Sequence, residues 1–344
     1  MKALIKTKPG KGNLELRDIS EPDCTQDGVK IEIKYCGICG TDIHVMHDTF
    51  KNYPPVILGH ELSGVVVETG KSVRNIRKND RVTILGSTKV ICGECEYCRQ
   101  GNYVFCAIRR GMGHGVDGGF TKYTVVREDM VYKLPDHVSY EEGALCEPFA
   151  SAVQGIEELT SFHNGDVVLL SGPGQIGLLC LALVLRHGCR VIVAGTDSDR
   201  ERLELARSLG ADIVIDVTKE NLDDIIVHET KGRGVDIAVE CSGNARAVTS
   251  GFKNLRKMGS YIQMGILGGK INFDFDTILY KQLSVHGSVG HSLKTWDRVI
   301  RILDHDKIDI SKIISHKLPL SKWQEGFELS ENKKGIKILL SYDE

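Results

Sequence analysis

The chain has 344 residues, enough for about two domains, and its 41% hydrophobic and 26% charged residues are an ordinary globular composition. Its 44 basic and 46 acidic side chains leave a net charge of −2, which provides no basic footprint for nucleic acid and no attraction to an anionic membrane. No apolar run could span a bilayer, and the start, MKALIKTKPG, lacks a signal-peptide apolar stretch; a cytoplasmic protein is expected, in which eleven cysteines point to metal or redox chemistry rather than disulfides.

In chain order, Lys2–Lys6, Leu14–Ile19 and Val29–Tyr35 alternate or are β-branched, with Pro9-Gly10 and Asp27-Gly28 as turns between them. The same texture recurs at Leu62–Thr69, Arg81–Leu85, Phe120–Val126 and Met130–Leu134, which predicts a compact, mostly β domain, a barrel. Within it, residues 36–61 read CGICGTDIH…GHE. Cys39, His60 and Glu61 offer sulfur, nitrogen and oxygen, a mixed set that suits a catalytic zinc with one position left open. Cys36 competes with Cys39 because the two form C-x-x-C, although the βαβ context of a redox C-x-x-C is missing. Asp42 is read as orienting the site without binding the metal. Cys24, His47 and His114 have no supporting constellation and are read as structural or solvated.

Residues 92–106 read CGECEYCRQGNYVFC, with spacing C-x2-C-x2-C-x7-C. Cys92, Cys95, Cys98 and Cys106 would fill a tetrahedral site and leave nothing open, as in a structural zinc. An iron–sulfur cluster is the rival, but its run has a shorter last gap followed by Pro, and Ala107 stands here. A DNA-binding finger would need a basic recognition helix, and none follows. Further on, Ser139-Tyr-Glu-Glu is a helix-capping pattern, and Glu147 precedes Pro148, which predicts an extended turn.

A buried strand, Val167–Leu170, runs into Gly172-Pro173-Gly174-Gln175-Ile176-Gly177 and then an apolar helix. In that context G-x-G-x-x-G is a dinucleotide fingerprint, with the pyrophosphate at the helix N-terminus. Strands are predicted at Arg190–Ala194, Ile213–Asp216, Val235–Glu240, Ser260–Met264 and Leu283–His286, with helices at Arg200–Leu209 and Ala245–Lys257: a doubly wound α/β domain. Cys180, Cys189 and Cys241 are read as its core. Asp197 lies twenty residues past Gly177, where an acid would hold the ribose of NAD, but the strand ends on the neutral Gly195-Thr196. Arg200 or Arg202 could instead meet the 2′-phosphate of NADP, and Asp197 or Asp199 could simply cap the next helix. NAD is favoured, with NADP possible. Trp296–Asp304 and Gln324–Ser330 read as helices, Ile314–Pro319 and Ile336–Leu340 as strands. This tail is expected to return to the first domain, giving domains 1–152 with 289–344 and 153–288 and a cleft between them.

With these elements in this order, the whole chain resembles the zinc-dependent medium-chain dehydrogenase/reductase family. The carriers are G-I-C-G-T-D-x-x-H around Cys39, G-H-E at Gly59–Glu61, the four-Cys lobe, Glu147-Pro148 and G-P-G-x-x-G at Gly172–Gly177. The resemblance implies an α/β chain, a GroES-like β-barrel catalytic domain plus a Rossmann doubly wound parallel sheet. It implies two zinc ions per chain. One is catalytic, on Cys39 and His60 with Glu61 and Glu147 as carboxylates, either of which could be the direct ligand. The other is structural, on Cys92, Cys95, Cys98 and Cys106. It makes Thr41 and His44 a proton relay and adds Thr196, Asp197, Arg202, Gly265 and Ile266 to the cofactor contacts. A homo-oligomer, dimer or tetramer, is implied too. The chain looks closest to the sorbitol/L-iditol branch, with the L-threonine 3-dehydrogenase branch as its neighbour, and the ends Pro319–Phe327 and Gly335–Leu340 resemble bacterial polyol members. It departs from them where Val45-Met46 replaces aromatics and Val289-Gly290-His291 replaces an Arg-bearing segment. Without that Arg, a neutral polyhydroxy substrate is expected over threonine, with hydride passing from a secondary alcohol to NAD(P)⁺ to leave a ketone. A non-catalytic zinc- and nucleotide-binding sensor is the remote alternative.

Overall fold

The computed structural model describes residues 1–305 and 308–342; the expected boundary at Glu344 lies outside the described residues. The chain divides into two compact units, Met1–Ala150 with Gly290–Glu344, and Ser151–Val289. In order it runs β1 (Lys2–Lys6), β2 (Leu14–Asp18), β3 (Gly28–Gly37), α1 (Gly40–Met46), β4 (Val56–Ile57), β5 (Glu61–Thr69), β6 (Arg81–Ile84), α2 (Glu96–Arg99), β7 (Tyr123–Arg127), β8 (Val131–Lys133), α3 (Tyr140–Ala144) and α4 (Cys146–Val153). The second unit follows with β9 (Val167–Ser171), α5 (Gln175–Arg186), β10 (Arg190–Gly195), α6 (Arg200–Leu209), β11 (Ile213–Asp216), α7 (Leu222–Thr230), β12 (Val235–Glu240), α8 (Ala245–Asn254), β13 (Leu255–Gln263), α9 (Asp276–Lys281) and β14 (Ser284–Gly287). The return to the first unit is α10 (Leu293–His305), β15 (Ile314–Pro319), α11 (Trp323–Glu331) and β16 (Lys337–Ser341).

The first unit is organised by β3. Val29, Ile31 and Ile33 turn inward while Lys30, Glu32 and Lys34 face outward, the period-two signature of a sheet with one covered face. β5 pairs antiparallel along one edge of β3, with register shifts at Lys30/Ile31 and Ile33/Tyr35. The other edge is shared: β7 takes Gly28–Glu32 and β16 takes Cys36 and Gly37. The end of β3 therefore lies between the start of β5 and β16. Gly37 pairs with Glu61 on one side and Leu339 on the other. A Cβ on Gly37 would come 2.3 Å from a Glu61 carboxylate oxygen and 3.3 Å from the Lys337 Nζ, so only glycine leaves room there. β1, β2 and β4 form a separate three-stranded sheet.

The second unit is one six-stranded parallel sheet, ordered β11-β10-β9-β12-β13-β14. Every residue of β9 and β12 is buried. Helices cover a parallel sheet on both faces, so its central strands become continuous apolar runs rather than alternating ones. Strand order reverses between β9 and β12, and ligands of such sheets bind beyond the carboxyl ends of the strands at that point.

Two local expectations fail, and one helix lies outside them. The helix expected to run to Lys257 stops at Asn254, because Leu255 already pairs with Val235 as the first residue of β13. Helix α7 was not foreseen; its cap is Asn221, whose side chain accepts from the Asp223 N–H at 3.0 Å. Glu147 is not extended but lies in the first turn of α4. Pro148 fits there because the first N–H groups of a helix have no partner within it.

Candidate functional site

Cys39 caps the start of α1, immediately past the end of β3. The buried Asp42 accepts the Cys39 N–H at 2.9 Å with one oxygen and the Gly59 N–H at 3.1 Å with the other. It thus ties together the two backbone segments that carry Cys39 and His60. One ligand atom each from Cys39, His60 and Glu61 then lie within 4.8 Å of one another. Cys36 is not part of this group. It is buried in β3, where burial, Asp42 and Glu61 push its thiol well above its usual range.

The opposite charge is supplied from far along the chain. Lys337 Nζ lies 2.5 Å from Glu61 Oε2, with both side chains fully buried, and also donates to the Ile38 carbonyl at 3.0 Å. Two buried polar atoms of the group have no partner among the described residues, His60 Nδ1 and Glu61 Oε1. Burial works against a charge on His60, but the fields of Cys39, Asp42 and Glu147 win and hold it well above the usual imidazole range. A thiolate, an imidazole and a carboxylate that draw in positive charge, with an orphaned oxygen among them, fit a divalent zinc.

Glu147 is buried, and its Oε1 lies 3.1 Å from His291 Nε2. Burial pushes the Glu147 carboxyl up, but the His291 hydrogen bond and the charges of His60 and Lys337 bring the net shift below the usual range. His291 is buried in turn and meets the Trp296 indole N–H through Nδ1 at 2.8 Å. Thr41 and His44 stand three residues apart on α1 and so share a face. Thr41 is half-buried; His44 is exposed, with Nδ1 3.1 Å from Thr49 Oγ1. His47 pairs with Glu331 at 2.5 Å, and His114 packs edge-on to Phe50 at 5.0 Å.

Cys92, Cys95, Cys98 and Cys106 bring their sulfurs within 4.8 Å of one another. Backbone N–H groups already point at them: Cys95 N to Cys92 Sγ at 3.3 Å, Cys98 N to Cys95 Sγ and Cys92 N to Cys106 Sγ at 3.4 Å. The N–H groups of Cys95 and Glu94 hold the Cys92 thiol down to about 6, while burial and the neighbouring sulfurs push Cys98 up to about 12. Four sulfurs gathered this closely fit a divalent cation that would draw on all of them.

In the second unit, β9 turns through Gly172 into α5, which Gly174 caps. Gly172 has φ +94°, and a Cβ on it would lie 2.7 Å from Ser242; one on Gly177 would lie 2.0 Å from the Gly172 carbonyl oxygen. A Cβ on Gly174 would meet nothing within 4 Å, so the helix N-terminus opens to solvent beside it. Pro173 borders Gly195 at the end of β10, and Gly243 after β12 borders Ile266. Gly265 donates to the Glu240 carbonyl at 2.9 Å. The buried Glu240 carboxylate, absent from the expectations above, accepts from Ser242 N at 2.8 Å, Gly243 N at 3.1 Å and Gln263 Nε2 at 2.8 Å, and so shapes the loops beside the fingerprint. After β10, Asp199 bonds back to Thr196, accepting from its N–H at 3.1 Å and its hydroxyl at 2.8 Å, and lies 3.6 Å from Arg202. Asp199 is therefore the capping acid of this turn, while Asp197 is exposed.

Residues 25–136 match the alcohol dehydrogenase GroES-like domain, and residues 176–305 match the zinc-binding dehydrogenase domain. The chain is 36% identical over 342 residues to a sorbitol dehydrogenase of Halalkalibacterium halodurans, covering 99% of each chain. It is 35% identical over 346 residues to an L-threonine 3-dehydrogenase of Pyrococcus horikoshii, covering 98% of each. The crystal structure of 2R,3R-butanediol dehydrogenase from Bacillus subtilis superposes with a TM-score of 0.89 at 28% identity, covering 99% of each chain.

Proposed function

Because the chain belongs to the zinc-dependent medium-chain dehydrogenase/reductase family, we propose that it oxidises a secondary alcohol of a polyol or sugar-type substrate with NAD(P)⁺, giving a ketone. The observation that carries this reading is the convergence of Cys39, His60 and Glu61, with His60 Nδ1 and Glu61 Oε1 orphaned among the described residues and Cys39 capping the helix that carries Thr41 and His44. When bound, zinc supplies Lewis acidity that makes the alcohol proton easier to remove, and the nicotinamide takes the hydride.

The chain's own residues do the rest. Cys39, His60 and Glu61 hold the catalytic metal, with Glu147 as the second carboxylate of that site. Lys337 balances the charge on Glu61, and Asp42 keeps the Cys39 and Gly59 segments in register. The Thr41 hydroxyl would accept the substrate proton while giving up its own, and His44, on the same helix face and open to solvent, would release a proton to water. Cys92, Cys95, Cys98 and Cys106 hold a structural zinc. Gly172–Gly177 receive the pyrophosphate, and Thr196, Asp197, Arg202, Gly265 and Ile266 border the rest of the cofactor. NAD is the favoured form, because Arg202 already faces Asp199. We read the protein as a cytoplasmic homo-oligomer; no helix among the described residues is long and apolar enough to cross a membrane.

A neutral substrate fits the buried His291 at the position of the expected Arg better than an amino acid does: with Nδ1 accepting from Trp296, its ring offers no cation to a carboxylate. Initial rates against polyols, sugars, sugar phosphates and L-threonine, each with NAD⁺ and NADP⁺, test the reading. Turnover of a polyol with NAD⁺ is the expected result. Turnover of threonine alone would move the chain to the neighbouring branch, and silence across the panel with zinc and cofactor bound would overturn catalysis.

A further inference from the structure

The group around Glu147 contains a hydrogen-bond chain whose direction is fixed by chemistry. An indole nitrogen can only donate. Trp296 Nε1 lies 2.8 Å from His291 Nδ1, so that nitrogen must accept and carries no proton. The remaining ring proton is then on Nε2, which faces Glu147 Oε1 at 3.1 Å and donates to it. The Trp296 ring is itself fixed, fully buried and stacked on Tyr132 with centroids 5.1 Å apart. The segment bearing His291 is also pinned: Leu293 N donates to the Gly101 carbonyl at 3.0 Å, and Gly290, at φ +59°, sits where a Cβ would meet Val104 at 2.7 Å. Trp296, His291 and Glu147 thus form a one-way relay of donors ending on a buried carboxylate.

We infer that His291, locked by Trp296 as the Nε2–H tautomer, is a positioning residue that tethers the Glu147 carboxylate and so governs how that carboxylate meets the catalytic metal and the substrate hydroxyl. The inference rests on the reading of Glu147 as the second carboxylate of the metal site. The two acids are tethered differently. Glu61 is held by a cation, Lys337, and lies within the compact trio with Cys39 and His60; Glu147 is held by a neutral donor and lies outside that trio. Such a tether would hold the Glu147 carboxylate apart from Cys39, His60 and Glu61 and so set its approach to a metal bound there.

The test compares full-length wild type with His291→Leu, His291→Gln and Trp296→Phe. The readouts are the visible spectrum of the cobalt-substituted proteins, metal retention against a chelator, and KM and kcat for the best alcohol of the panel. With His291→Leu the untethered carboxylate closes on the metal: the cobalt bands shift, metal retention changes by about tenfold or more, and KM rises more than kcat falls. His291→Gln, whose amide can still donate to Glu147, restores most of the wild-type spectrum, and Trp296→Phe gives a smaller shift of the same sign. Equal behaviour of the Leu and Gln variants, or a His291→Leu protein with wild-type spectrum and retention, overturns the inference. Glu147→Gln separates the two levels. If it alters the cobalt spectrum while His291→Leu does not, only the tether fails; if Glu147→Gln is itself silent, the role of Glu147 at the metal fails with it.

Discussion

Lys337→Met removes the cation beside Glu61 while keeping most of the side-chain volume. Both partners have no exposed side-chain surface, their charged atoms are 2.5 Å apart, and the Lys337 ammonium also serves the Ile38 carbonyl. The variant leaves a carboxylate buried with no partner on either oxygen, since Glu61 Oε1 has none already. Breaking a buried pair from one side costs about 3–5 kcal/mol, because the remaining charge stays desolvated. In a unit of this size each kcal/mol moves the melting midpoint by about 2–4 °C, so the metal-free variant should melt about 6–20 °C below wild type. Zinc should recover part of that difference, because a bound cation again faces Glu61, and Lys337→Met/Glu61→Gln should recover more than half of it without metal. The assay is thermal unfolding of the chelator-treated and zinc-loaded proteins. If metal-free Lys337→Met melts within about 2 °C of wild type, Glu61 is not held as an ion in the interior, and the charge argument for the site collapses.

Other outcomes follow from single contacts. Cys98→Ser, in the four-sulfur cluster, should drop one zinc per chain in elemental analysis and melt earlier; an unchanged metal content would refute a metal there. Gly172→Ala forces a Cβ to within 2.7 Å of Ser242 at φ +94°, so cofactor affinity measured by fluorescence titration should fall at least tenfold while both zinc ions are retained. Asp236 accepts from Val167 N at 2.9 Å and pairs with Arg233 and Arg256, each at 2.6 Å; burial pushes its carboxyl up, but these partners bring it down to about 2. Because the folded value is depressed, this stabilisation is present above the unfolded value of 3.8 and is lost as pH falls towards 2. Asp236→Asn should therefore flatten the fall in melting temperature over that window, and an identical slope in both proteins would discount the cluster.

Much of the architecture was legible because it is written in local periods. The alternation in β3 and the apolar run of β9 announce a one-face-covered sheet and a two-face-covered sheet respectively. The four-Cys spacing and the glycine fingerprint are equally local, and Asp42 could be singled out because it sits three residues from Cys39. What escaped notice depends on partners far apart in sequence. Lys337 meets Glu61 across 276 residues, and His291 meets Glu147 across 144; each reads alone as a surface cation or an ordinary histidine. The segment Val289–His291 stood out only as a departure from the family pattern, with no hint that Trp296 fixes its tautomer. Cys36 and Cys39 could not be separated by spacing, since the choice depends on β3 ending at Gly37, which leaves Cys36 buried within the strand and Cys39 at the cap of α1. Glu240 ends a strand whose burial is plain, but its service to two loop donors and to Gln263 of β13 is visible only once β13 lies beside it.

The four-cysteine lobe reaches further than its own fold. Gly101 and Val104 lie between Cys98 and Cys106, and they are the residues against which Leu293 and Gly290 rest, on either side of His291. On the proposed reading, a structural zinc in that lobe would therefore brace the segment that carries His291 and, through it, the Glu147 carboxylate. Changing the length or packing of that loop would act as a remote adjustment of substrate preference. Attempts to redirect the enzyme to new alcohols therefore have a target well removed from the residues that touch them.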